Sequence, residues 1–236
     1  MTDSLHIRID EHPADGRPVV FLHGFASSGA ADWPAEAWAP ALSAAGRTSI
    51  VIDLPGHGES AGLGVTSTGE IVDRIAETIG EKEVDVVAYS LGARLAWDLA
   101  SHDGVTVRRL VLGGLSPVEP FAAVDLPAAR DAVSAGAAPQ DPLTGMIVSM
   151  TRMPGNRASD LLDVVESLAA EPFDPALRPP AQPVLLLGGT DDPMAQGIDA
   201  LAEALPDARV RRVPGDHLSA LHSDQLRDET LAFLDE

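Results

Sequence analysis

The chain has 236 residues, 45% of them hydrophobic, a formal net charge of −20 at pH 7 and no cysteine. This excess of carboxylates argues against binding nucleic acid through a basic face and against docking to anionic membranes. The missing cysteines exclude disulfides, a thiolate nucleophile and cysteine-ligated zinc.

Residues 5–10 alternate apolar and polar side chains, the pattern of an edge strand. Pro13-Ala14-Asp15-Gly16 reads as a turn. Residues 18–22 (Pro-Val-Val-Phe-Leu) form a continuous apolar run, as in a parallel strand covered on both faces. They end in the glycine- and serine-rich loop His23-Gly24-Phe25-Ala26-Ser27-Ser28-Gly29, expected to be flexible. Residues 35–45 predict a helix, with Trp38 and Leu42 at i, i+4 and Gly46 as its stop. A second buried strand, 49–54, runs into Pro55-Gly56-His57-Gly58-Glu59-Ser60. Residues 68–79 carry a capping residue, Ile71, Ile75 and Ile79 in helical period, and Gly80 as the stop.

The stretch 84–94 has the sharpest signal. An apolar, β-branched run stops at Ser90 between small residues, and a helical pattern starts at once and continues to residue 100. This spacing predicts strand, tight turn, helix, with Ser90 at the apex. Residues 107–112 are the next strand. The stretch 115–182 is rich in proline and alanine and holds amphipathic patterns near 122–134, 143–153 and 158–170, with no convincing strand. Strand and helix then return: strand 183–187, the loop Gly188-Gly189-Thr190-Asp191-Asp192-Pro193, helix 198–205, strand 208–213, the loop Pro214-Gly215-Asp216-His217, and a final helix 220–234.

This alternation implies an α/β fold: a mostly parallel twisted sheet with helices on both faces. We expect one domain over residues 1–236, with 116–181 inserted as a short helical lid. The N-terminus lacks the basic and apolar regions of a secretory signal, and no apolar run approaches a membrane span. A cytoplasmic protein without a membrane partner is therefore expected.

Ligands of parallel α/β sheets bind beyond the carboxyl ends of the strands. Four segments bring reactive or donor groups there: His23-Gly24-Phe25, Ser90, Asp191-Asp192 and His217. Competing motifs fail. Gly56-x-Gly58-x-x-Ala61 fits a dinucleotide loop but opens no helix. His57-Gly58-Glu59 lacks the cysteine half of a zinc deaminase signature. The sole lysine, Lys82, lies in no phosphate-binding loop. No cofactor and no metal is expected, and the partner is a small-molecule substrate; the oligomeric state is left open.

Ala88-Tyr89-Ser90-Leu91-Gly92 resembles the G-x-S-x-G nucleophile elbow of α/β-hydrolases, with alanine at the first position. His23-Gly24-Phe25, Asp53-Leu54-Pro55-Gly56-His57-Gly58-Glu59-Ser60, Gly189-Thr190-Asp191-Asp192 and Gly215-Asp216-His217 resemble further motifs of that superfamily, in its order. The resemblance implies an α/β-hydrolase fold and a Ser-His-Asp triad. Ser90 is then the nucleophile, His217 the base and Asp192 its orienting acid. The backbone N–H groups of Phe25 and Leu91 form the oxyanion hole, and Phe25, Tyr89 and Arg94 contact substrate. Asp191 and Glu119 stand as alternative acids and His222 as an alternative base. His23 and His57 are expected to brace their loops, and His6, His12 and His102 to lie at the surface.

Serine at the elbow, where dehalogenases and epoxide hydrolases of this superfamily use aspartate, implies hydrolysis of a small or medium carboxylic ester or thioester. Tyr89-Ser90-Leu91-Gly92-Ala93-Arg94, with His23-Gly24-Phe25-Ala26-Ser27 and Trp33, also resembles the menaquinone-pathway synthases that eliminate pyruvate. There an arginine at the Arg94 position and lid arginines bind substrate carboxylates, and Arg130, Arg152 and Arg157 are the lid arginines here. A non-catalytic ligand-binding member of the fold is the third reading.

Overall fold

A computed structural model of the chain describes residues 4–10, 16–118 and 120–236. Seven strands form one sheet: β1 (Ile7–Asp10), β2 (Gly16–Leu22), β3 (Arg47–Ile52), β4 (Glu83–Tyr89), β5 (Thr106–Gly113), β6 (Val184–Gly189) and β7 (Ala208–Val213). Their order is β1-β3-β2-β4-β5-β6-β7. Only the β1–β3 pair is antiparallel. The helices between the strands are α1 (Gly29–Asp32), α2 (Ala35–Ala44), α3 (Thr68–Ile79) and α4 (Leu91–Leu99). Between β5 and β6 run α5 (Leu126–Ala135), α6 (Pro142–Thr151) and α7 (Ala158–Ala170). After β6 come α8 (Ile198–Glu203), α9 (His217–Leu221) and α10 (Asp224–Leu234).

The period-2 geometry of a strand explains the two cores. On β2, Val20 and Leu22 face a cluster built with α3, α4 and the α5–α7 segment. Val19 and Phe21 face a second cluster, with Trp33, Trp38 and Leu42 on one side and Leu226, Phe233 and Leu234 of α10 on the other. The central strands are covered on both faces, which is why they read as unbroken apolar runs. Among the described residues, no helix is long and apolar enough to cross a membrane.

Two local expectations differ from the structure. The final helix is two: Ser223 caps α10 by accepting the Leu226 N–H, and His222 closes α9. The loop after β2 contains a short helix, α1, capped by Ser28, and is tied down along its length. Of the expected turn over residues 13–16, Gly16 opens β2 and the rest lies outside the described residues, as do His12 and Glu119.

Candidate active site

The site gathers at the carboxyl ends of β2, β4, β5, β6 and β7. Ser90 links β4 to α4 with φ 52° and ψ −115°, and its N–H donates to the Gly113 carbonyl at 2.8 Å. An L-residue in this left-handed region is strained and persists only where packing enforces it. The neighbours explain how the turn fits. A Cβ on Gly92 would lie 2.4 Å from the Leu22 carbonyl oxygen, so only glycine lets α4 start against the end of β2. Ala88, in place of the motif's glycine, is fully enclosed. Ala26, φ 58°, is the only other non-glycine residue with positive φ among the described residues.

Leu91 is the first residue of α4, where a backbone N–H has no intrahelical acceptor. Neither its N–H nor that of Phe25 is bonded to any of the described residues. The loop bearing Phe25 is braced by groups on every side. Asp32, buried, accepts the Gly24 N–H at 2.7 Å and the Ser27 hydroxyl. His23 Nε2 accepts the Leu54 N–H at 3.0 Å, which fixes the tautomer: Nδ1 carries the proton and donates to the Gly24 carbonyl at 2.8 Å. His57 Nδ1 lies 2.8 Å from the Pro55 carbonyl and holds that turn. Burial favours the neutral imidazole in both. It lowers His23 against the attraction of Asp32, and, together with repulsion from His23, lowers His57 to about 3.

Asp192 and His217 are brought together. The side chain of Asp192 is fully buried, and Oδ2 lies 2.8 Å from His217 Nδ1 while Oδ1 accepts the Met194 N–H at 2.8 Å. His217 opens α9 beside a capping box of Asp216 and Ser219. A Cβ on Gly114 would come within 2.8 Å of His217 Cε1, so the imidazole seats against bare backbone. The alternatives lie elsewhere. Asp191 is exposed and bonded by the Thr190 hydroxyl at 3.3 Å, and His222 is exposed at the end of α9.

Ser90, His217, Phe25, Leu91 and Arg94 line one cavity of about 330 Å³. Among the described residues no hydrogen bond joins Ser90 Oγ to His217. The walls are apolar: Leu115, Phe121, Leu143, Met146, Ile147, Met150, Phe173 and Met194. Most of these come from the stretch between β5 and β6. Arg94 is held by Asp98 at 2.5 Å and by the Glu171 carbonyl at 3.0 Å, and it stacks on Phe173.

Tyr89 departs from its expected role as a substrate contact. It is buried in the α10-side cluster and does not line the cavity. Its side chain points to the opposite face from Ala88, as strand alternation requires. Its hydroxyl donates to the His217 carbonyl at 2.7 Å and its ring packs 5.1 Å from the imidazole. Burial, then the charge of Asp192, raises the phenol and keeps it a neutral donor. The arginines of the stretch between β5 and β6 also point elsewhere. Arg130 pairs with Asp163 and Glu166, Arg152 donates to the Ala132 carbonyl, and Arg157 faces Asp160; none lines the cavity.

Sequence reasoning passed over Asp32, although a lone carboxylate beside Trp33, after two serines and in a motif loop, was a usable signal. It also passed over Asn156, whose amide donates to the Ala26 carbonyl at 3.0 Å. Nothing in the sequence pattern around Asn156 marks it.

Comparison with known proteins gives matches of three kinds. A family model described as the alpha/beta hydrolase family matches residues 19–229. A curated 2-succinyl-6-hydroxy-2,4-cyclohexadiene-1-carboxylate synthase from Yersinia enterocolitica is 36% identical over 99 residues, covering 38% of this chain and 34% of the synthase. That match thus spans about a third of the relative's length. A hydrolase from Pseudomonas aeruginosa PA01 superposes with a TM-score of 0.77 at 21% identity, over 98% of this chain and 94% of the other. The enol-lactonase from Burkholderia xenovorans LB400 does so with a TM-score of 0.72 at 22% identity, over 98% and 96%. At such identities the structural likeness is one of fold.

Proposed function

The chain belongs to the alpha/beta hydrolase family, and on that premise we propose that it hydrolyses small or medium carboxylic esters or thioesters through an acyl-serine. The observation that carries the reading is His217, 2.8 Å from the buried Asp192 and lining the same apolar cavity as the strained Ser90.

His217 Nε2 takes the Ser90 hydroxyl proton as Oγ bonds the substrate carbonyl carbon. The negative charge that develops on the carbonyl oxygen is met by the Phe25 and Leu91 N–H groups. His217 then gives its proton to the leaving alcohol or thiol. A water, deprotonated by the same imidazole, attacks the acyl-serine carbonyl; as the bond to Oγ breaks and the acid leaves, His217 returns the proton to Ser90 Oγ. Asp192 holds Nδ1–H, so that Nε2 is the nitrogen left to accept a proton. Helices α5–α7 act as the lid, and the cavity's size and apolar walls suit an uncharged acyl group.

A pyruvate-eliminating synthase is the second reading, favoured by the 36% identity to the Yersinia enzyme. Against it stand Arg130, Arg152 and Arg157, each engaged away from the cavity. A series of p-nitrophenyl esters from acetate to long chains separates the two. Ser90-dependent turnover with a chain-length optimum is expected. No turnover across the series, with pyruvate released from the synthase substrate, would replace the esterase reading. Failure of a fluorophosphonate to label Ser90 would favour a non-catalytic binding role.

A further inference from the structure

The loop that presents the Phe25 amide is held from two directions. From the core, Asp32 takes the Gly24 N–H at 2.7 Å and the Ser27 hydroxyl. From the opposite side comes one side chain, Asn156, in the loop between α6 and α7. Its amide nitrogen donates to the Ala26 carbonyl at 3.0 Å and to the Met150 carbonyl at 3.2 Å. A carboxamide nitrogen has two hydrogens, so one goes to the loop after β2 and the other to α6. Phe25 and Met150 both line the cavity, so this amide ties its two walls together. The carbonyl it grips belongs to Ala26, whose left-handed backbone an alanine keeps only where neighbours enforce it. Other ties from α7 end elsewhere: Asp160 accepts the Gly62 N–H at 2.7 Å, and the Ser167 carbonyl accepts the Thr68 hydroxyl at 3.3 Å.

We propose that Asn156 is a positioning residue that makes the aim of the Phe25 N–H depend on the seating of the α5–α7 lid. With the lid seated, Asn156 holds the Ala26 carbonyl and the strained loop stays formed. With the lid lifted, the carbonyl is released and the donor swings from the position of the oxyanion. The inference rests on the oxyanion role proposed for Phe25. Asn156 touches no reacting atom, so its removal acts on the chemical step through the loop.

The test compares Asn156→Ala and the isosteric Asn156→Asp, which sets a carboxylate against two carbonyls, with Asp160→Ala, which removes a lid tie that does not reach the loop. On the best p-nitrophenyl ester of the series, both Asn156 variants should lose about tenfold in kcat, less than the 100- to 1,000-fold of an oxyanion donor removed outright. KM should stay within about twofold. Inactivation by a neutral alkyl fluorophosphonate, whose phosphoryl oxygen uses the same donors, should slow in parallel. Asp160→Ala should keep wild-type kcat. Wild-type kcat and inactivation in both Asn156 variants, or an equal loss in Asp160→Ala, overturns the inference and leaves the Ser90 reading standing. Undiminished turnover by Ser90→Ala overturns that reading instead.

Discussion

Replacing Asp192 by asparagine tests how the buried carboxylate sets the state of His217. Asp192 Oδ1 accepts the Met194 N–H and Oδ2 faces His217 Nδ1, both at 2.8 Å. An asparagine keeps one acceptor. If its oxygen stays on Met194, its NH2 meets Nδ1, which must then be the unprotonated nitrogen. The proton moves to Nε2, the nitrogen that has to accept from Ser90. The flipped amide restores the tautomer but sets two donors against each other at Met194. An unsatisfied buried donor costs roughly 1–3 kcal/mol, so a factor of about 10–100 is lost to the wrong tautomer alone. The carboxylate's stabilisation of the imidazolium is lost as well. Together these predict a fall in kcat on the order of 10⁴, as in other triads whose aspartate is amidated. KM for a p-nitrophenyl ester should change little, since Asp192 does not line the cavity. Steady-state kinetics with a melting curve reads both quantities. A folded variant with kcat within about tenfold of wild type would refute the assignment of Asp192.

Other perturbations follow from particular contacts. Stability should fall as pH drops below neutrality because of His57, whose folded pKa of about 3 lies below the ordinary 6.5. Between those values the unfolded chain binds the extra proton, so unfolding is favoured by roughly 3 kcal/mol at about pH 4.5 from this group alone. The loss levels off below about 3, and urea unfolding across that range measures it. A stability independent of pH there would contradict a buried neutral His57. Gly92→Ala puts a Cβ 2.4 Å from the Leu22 carbonyl oxygen. It should destabilise by about 1–3 kcal/mol and slow Ser90 labelling; a wild-type melting curve would mean α4 can shift freely. Met150→Trp narrows the cavity and should raise KM for long esters while sparing the acetate. Tyr89→Phe removes the 2.7 Å bond to the His217 carbonyl. It should cost on the order of 1 kcal/mol of stability and leave substrate preference unchanged.

The elbow and the sheet were legible because their causes are local. An unbroken β-branched run, a serine between small residues and an immediate helix leave few foldings, and the structure has β4, Ser90 and α4 there. The pairing of Asp192 with His217 was legible only through motif order, since residues 25 apart meet by topology. The cavity walls were not. Phe121, Met150 and Phe173 come from a stretch whose amphipathic helices could pack in several ways, and no period says which apolar residue faces solvent, core or substrate. Tyr89, which the resemblance implies as a substrate contact, adjoins Ser90 in sequence, but strand alternation turns it to the other face. The break at His222 and Ser223 was missed because both residues fit the helical period, and only the Ser223 cap marks the boundary.

The most direct test of the central claim is turnover of a p-nitrophenyl ester by Ser90→Ala, beside the wild type at equal folded concentration. The account predicts release of p-nitrophenol by the wild type and none above the uncatalysed rate by the variant, with matching melting curves. Retention of most of the wild-type rate by folded Ser90→Ala would contradict it, because the triad, the oxyanion donors and the cavity are all assigned around that hydroxyl.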